Sequence, residues 1–129
     1  MNTFADLAAS RREWIEQVLI PWCRQASRMQ LRLAELDWPD IAGRVDPEKT
    51  MWAWAWSRFP DLVNLELGGI DEARAVTVSL EDGTILTGYP DARQSKQGEL
   101  LLVCKSAESG RFEDCGPFSL DIVQSVGKA

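Results

Sequence analysis

Residues 74–93, Arg-Ala-Val-Thr-Val-Ser-Leu-Glu-Asp-Gly-Thr-Ile-Leu-Thr-Gly-Tyr-Pro-Asp-Ala-Arg, constrain the fold more than any other stretch. Val76, Val78 and Leu80 alternate with Thr77, Ser79 and Glu81, the period of a strand with one buried face, and Asp82-Gly83 is a strong hairpin signal. A second strand over residues 84–89 is expected to return along the first. Further on, residues 99–105 read as a strand with both faces covered, because Leu100, Leu101, Leu102, Val103 and Cys104 leave no polar side. Residues 91–98 and 107–116 read as loops. Phe118, Leu120, Ile122, Val123 and Val126 make a last short strand or pair of strands.

The first half has a different period. From Phe4 to Leu36 apolar residues recur at helical spacing, among them Leu7, Trp14, Ile15, Val18, Leu19, Trp22, Met29 and Leu33, with charged and amide side chains between them. Thr3 serves as N-cap, with Asp6 in the place of a capping box. Pro21 removes a backbone donor and sets its ring against the carbonyl of Gln17, yet the apolar stripe stays in phase across it, which predicts one continuous kinked helix. Trp38-Pro39 is expected to end that helix, because the residue before a proline is pushed out of helical geometry. Asp46-Pro47-Glu48 then opens a second helix over residues 51–59, with Asp46 as N-cap. That helix carries Trp52, Trp54 and Trp56. Trp52 and Trp56 share one face and are expected in the core, with Trp54 the one most open to solvent. Residues 61–67 fit a short helix or a strand, and Gly68-Gly69 links the helical part to the β part.

The expected architecture is therefore α+β. It is a single domain, 1–129, whose N-terminal helices (1–67) pack on a small antiparallel β-barrel of four to five strands (70–129). At 129 residues the chain buries roughly 65% of the surface its unfolded form exposes, so neither metal nor disulfide is needed to hold it. Three cysteines, Cys23, Cys104 and Cys115, with no close pair, suit buried thiols in a reducing compartment. No apolar run approaches the ~20 residues of a membrane span, and the N-terminal residues lack the pattern of a secretory signal. The expectation is a cytoplasmic protein with no membrane contact.

Several functions are disfavoured by what the chain contains. It has no histidine, which removes Ser-His and Cys-His nucleophile pairs and the commonest metal ligand. No catalytic, cofactor or metal residue is assigned. Carboxylate chemistry is a remote alternative resting on Asp82, Asp91, Glu113, Asp114 and Asp121, most of which read as turn residues. Residues 1–60 carry eight basic and eight acidic side chains, whereas residues 61–129 carry six and twelve, so the net charge of -6 lies in the second half. An acidic half repels phosphate backbones, and nucleic acid is an unfavoured partner.

The residues Val76-Thr-Val78-Ser-Leu80-Glu-Asp82-Gly83, Gly88, the strand Leu100-Leu101-Leu102-Val103, and the ending Phe118-Ser-Leu120-Asp-Ile122-Val123-Gln-Ser-Val126 together resemble the small barrels of Sm-like and SH3-like domains. The resemblance spans about two-fifths of the chain and implies a fold. Sm-like proteins bind RNA through an asparagine in the loop before their third strand and a basic, glycine-containing segment between their last two strands. Here residues 90–98 hold no asparagine and residues 112–119 no arginine or lysine. An RNA-binding alternative therefore rests on Arg24, Arg28 and Arg32, spaced to share one side of a helix. The leading expectation is a non-enzymatic module for protein–protein contact or self-association. Its candidate surface is Tyr89, Asp91 and Arg93 at the end of the hairpin, with Trp54 on the second helix.

Overall fold

Two reciprocal caps set the helical register. Thr3 Oγ1 accepts from the Asp6 N–H while Asp6 Oδ2 accepts from Thr3, and Ser27 exchanges the same pair of bonds with Gln30. In the computed structural model, which describes residues 3–129, these caps open α1 (Phe4–Trp14) and α3 (Arg28–Ala42). The first two residues of the expected 1–129 domain lie outside the described residues.

Between the caps the chain stays helical through Pro21. Ile15–Leu19 winds as a π-helix, closed by the Ile20 N–H on the Ile15 carbonyl, and runs into α2 (Ile20–Gln25). The wider turn lies where the Pro21 ring would strike the Gln17 carbonyl, so the chain absorbs the proline by widening. One continuous helix over residues 4–36 does not form. Ala26 turns extended at ψ 148°, Ser27 caps afresh, and the chain reverses into α3. Nor does Trp38-Pro39 stop a helix. Pro39 is exposed, the side on which a missing helical bond costs least, while Trp38 is buried and anchors its turn; α3 ends at Gly43, φ +68°.

Asp46 caps only a 3-10 turn, Pro47–Lys49, and α4 (Met51–Trp56) starts after Thr50. It is shorter than expected and buried almost all round: Met51, Trp52, Ala53, Ala55 and Trp56 are in the interior. Residues 61–67 are neither plain helix nor plain strand. A 3-10 turn Pro60–Leu62 leads to β1 (Val63–Asn64), a second turn Leu65–Leu67 follows, and β2 (Gly69–Ile70) pairs antiparallel with β1.

The main sheet has five antiparallel strands, β3 (Val76–Leu80), β4 (Ile85–Pro90), β5 (Glu99–Lys105), β6 (Phe112–Ser119) and β7 (Val123–Lys128), in the order β6-β5-β4-β3-β7. β3 and β4 form the expected hairpin, with Val78 opposite Leu86 and Gly83 at φ +90° in the turn. Most of β6 falls where a loop was expected. Its acidic residues and its Gly116-Pro117 hide the strand pattern, but β6 is an edge, where a proline costs no shared ladder bond. A register shift opposite Leu100 and Leu102 gives β6 one extra residue there. The hydrogen-bonded ladders leave β6 and β7 as the two edges, so among the described residues the sheet is not closed into a barrel.

The core lies between α2, α3, α4 and one face of this sheet, with Leu31, Trp38, Trp52 and Trp56 meeting Val78 and Leu102 in one cluster. Two arginines fasten its seams. Arg58 donates to the carbonyls of Cys23, Ala26 and Ala55, closing the C-terminal ends of α2 and α4 where the helix dipoles favour a cation. Arg28 reaches from α3 to the β part, donating from Nε to the Gln97 carbonyl and from Nη2 to Glu99 Oε1, each at 2.8 Å. Asp121 completes the joint by accepting the Arg28 backbone N–H.

Candidate apolar groove on the helical face

None of the residues of α1 is buried. Apolar side chains expected to face the core stand instead in solvent: Phe4 is 86% exposed, Leu7 55%, Trp14 42%, Val18 52% and Trp22 40%. The helical run docks through positions beyond α1, Ile15 and Leu19 of the π turn and Cys23 of α2, which join or pack on the core cluster. On an α-helix, positions four apart drift about 40° per step, since each turn holds ~3.6 residues. The π turn at Ile15–Leu19 takes up that drift and holds Trp14, Val18 and Trp22 in one row.

Beside this row runs α3, antiparallel and tied to α1 where Arg11 Nη2 donates to the Ile41 carbonyl at 2.6 Å. The two do not close on each other. A cleft of about 260 Å3 is left between them, walled by Trp14, Val18 and Trp22 on one side and Ala34, Trp38 and Ile41 on the other. Its far end continues past Arg11 to Thr50 and Trp54. Trp54 is half-buried and meets Trp38 edge-on, ring centroids 6.1 Å apart. Trp38 carries the buried side-chain polar atom without a hydrogen-bond partner among the described residues, its indole Nε1. Trp52, by contrast, donates to Glu35 Oε2 at 2.7 Å.

The hairpin end is a shallower site. Tyr89, 44% exposed and opposite Val103 on β5, borders an open depression with Glu72, Pro90, Asp91 and Arg93. Asp91 is already committed: its carboxylate accepts from the backbone of Arg93 and Gln94 and from the Gln94 amide, bonds that hold it below the ordinary carboxylate range. Arg93 and Tyr89 remain exposed.

The three arginines do not share a helix face, because the break at Ala26 puts Arg24 on α2 and Arg28 and Arg32 on α3. Arg24 donates to Ser57 Oγ at 2.8 Å and Arg28 is the joint described above, while Arg32 stands exposed on α3. The carboxylates are dispersed. Asp82 accepts the Thr84 N–H in the hairpin turn, Asp121 serves Arg28, and Glu113 and Asp114 lie exposed on the β6 edge. Burial pushes the thiols of Cys23 and Cys104 up to about 11 each, away from nucleophilic use near neutrality.

Sequence reasoning missed Trp14, Val18 and Trp22 as surface residues. The available signal was breadth. Apolar positions on α3 fall on opposite sides, with Leu31 and Trp38 inward and Met29, Leu33 and Leu36 outward at 66%, 58% and 78% exposure. Such a helix has more apolar surface than one core can cover. Among the described residues no helix is long and apolar enough to cross a membrane, and no group of three or more His, Cys, Asp or Glu side chains is placed to hold a metal ion. No protein-family model, curated protein or solved structure matches this chain.

Proposed function

We propose that this protein is a non-enzymatic interaction module that contacts a partner protein, or a second copy of itself, through the apolar groove of its helical face. The observation that carries the reading is the row of Trp14, Val18 and Trp22, roughly half exposed each, beside a cleft whose other wall holds the buried Trp38. Half-exposed aromatic side chains next to an apolar concavity are the material from which interface centres are made. Tyr89 and Arg93 supply a smaller polar surface on the sheet side. RNA recognition has less support, since Arg24 and Arg28 are held by protein groups.

The five-stranded sheet fits a small barrel resembling Sm-like and SH3-like domains. An order that returns the last strand to the side of the first is what bending toward closure requires. Register shifts at Ser79/Leu80 and Leu100/Leu102, and the approach of β4 to β5 at Gly88, supply local bends. The three free thiols fit a reducing cytoplasm.

Light scattering on the purified protein, with affinity enrichment by wild type and by Val18→Glu, tests the function. The expected result is a bound protein or second copy that the exposed substitution releases. A strict monomer whose captured proteins are the same for both forms removes the reading.

A further inference from the structure

The apolar seam of α1 and α2 has a symmetry of its own. Phe4, Leu7, Arg11, Trp14, Val18 and Trp22 follow one another at steps of three and four residues, the spacing of a helix–helix seam. Read from either end, the row nearly repeats: a large aromatic, a small aliphatic, then the Arg11 and Trp14 pair at the centre. Resting on the reading that this face is an interface, we propose that its occupant is a second copy of this chain, packed antiparallel about a two-fold axis near residues 12–13.

In that arrangement Phe4 of one copy lies beside Trp22 of the other, Leu7 beside Val18, and Arg11 beside Trp14. The pairs are unlike and complementary. A two-fold contact needs a surface that fits its own image, and a row whose halves hold matching partners supplies one. The central pair is a guanidinium against an indole, so no like charges meet on the axis.

Two further observations favour a second copy over an unrelated partner. First, α1 buries none of its residues, so the N-terminal half of the helical run lacks the tertiary packing from which helices in proteins draw most of their stability. A permanent cover supplied by the same chain meets that need wherever the protein is made. Second, the area is sufficient. From their fractional exposures the five apolar side chains of the row present on the order of 500 Å2, given ~150–250 Å2 for each large side chain. Two copies bury about 1,000 Å2 from these alone, the threshold of a specific interface, before the central Arg11 and the flanking Ser10 and Gln17 are counted.

Sedimentation and light scattering over a dilution series test the proposal, using full-length wild type, Leu7→Glu, Val18→Lys and an equimolar mixture of the two variants. Both positions are exposed, and far-UV circular dichroism reports whether each variant folds. Wild type is expected at twice its chain mass of 14.5 kDa, and each variant alone at the chain mass. The mixture is expected to return to the doubled mass, because the antiparallel seam sets the carboxylate introduced in one copy against the ammonium introduced in the other. A wild type that is monomeric throughout overturns the proposal, as do variants that stay dimeric or a mixture that stays monomeric. If wild type is monomeric while enrichment of another protein still depends on Val18, the interaction function stands and only the identity of its occupant fails.

Discussion

Removing Arg28 tests whether the helical and β parts are joined where the structure joins them. In Arg28→Ala the backbone bond to Asp121 survives, but both guanidinium bonds go, to the Gln97 carbonyl and to Glu99 Oε1. The ion pair is partly open, with side-chain exposures of 22% and 40%, so it contributes only about 0.5 kcal/mol. The bond from a cation to the Gln97 carbonyl, itself exposed, adds about 1.5 kcal/mol, the low end for a charged donor. The stem packs against Gly98, where an added Cβ would stand 3.1 Å from Arg28 Cγ, and losing its methylenes removes about 0.8 kcal/mol for each that is buried. The expected loss is about 2 to 3 kcal/mol. With a urea slope of ~2 kcal/mol per molar, the midpoint should fall by about 1 M with the slope unchanged. Arg28→Lys should recover little of this, because an ammonium does not reproduce the two directed bonds. An unchanged midpoint would refute the assignment. So would a variant of wild-type stability that loses affinity for RNA, since Arg28 would then be a phosphate contact.

Three smaller tests follow from other sites. Gly88→Ala places a Cβ 2.6 Å from the Val103 carbonyl and 2.8 Å from Cys104 Sγ, so β4 and β5 must part; a loss of about 1 to 3 kcal/mol, read as a melting point at least ~4 °C lower, is expected. Trp52→Phe should cost about 1 to 2 kcal/mol more than Trp38→Phe in denaturant, because only the first gives up an indole bond, to Glu35, while the second removes an unpartnered donor. The Cys23 thiol, pushed up to about 11 by burial, keeps its proton in the fold after the unfolded chain has released it. Its contribution to stability is whole below pH ~8.5 and is lost as pH rises toward 11, so the wild-type denaturation midpoint should fall across that window more steeply than that of Cys23→Ala.

Local rules carried the hairpin, the cap at Thr3 and the position of strand β5, because each is decided by residues close in sequence. What failed was decided at a distance. Gln30, placed to complete a capping box with Ser27, restarts a helix that the apolar pattern alone would carry straight on. Trp38 keeps Pro39 inside α3 because burying an indole outweighs one lost backbone bond, and that burial exists only once α4 is in place. β6 reads as a loop because edge position forgives Gly116-Pro117, and edge position is a property of the assembled sheet.

The apolar groove has the same origin, seen from the other side. Helical period says which residues share a row, and the row Trp14, Val18, Trp22 was legible; period does not say what the row faces. Two candidate rows ran along α1 and α2, and the core took the one through Ile15, Leu19 and Cys23, whose smaller side chains let α2 approach α4 closely. The row with two tryptophans was left outside because a fold of 129 residues had already filled its interior with Trp38, Trp52 and Trp56. An excess of large apolar side chains over available core is therefore legible as exposed apolar surface, since a chain that buries three of its six tryptophans almost completely has left Trp14 and Trp22 at its surface.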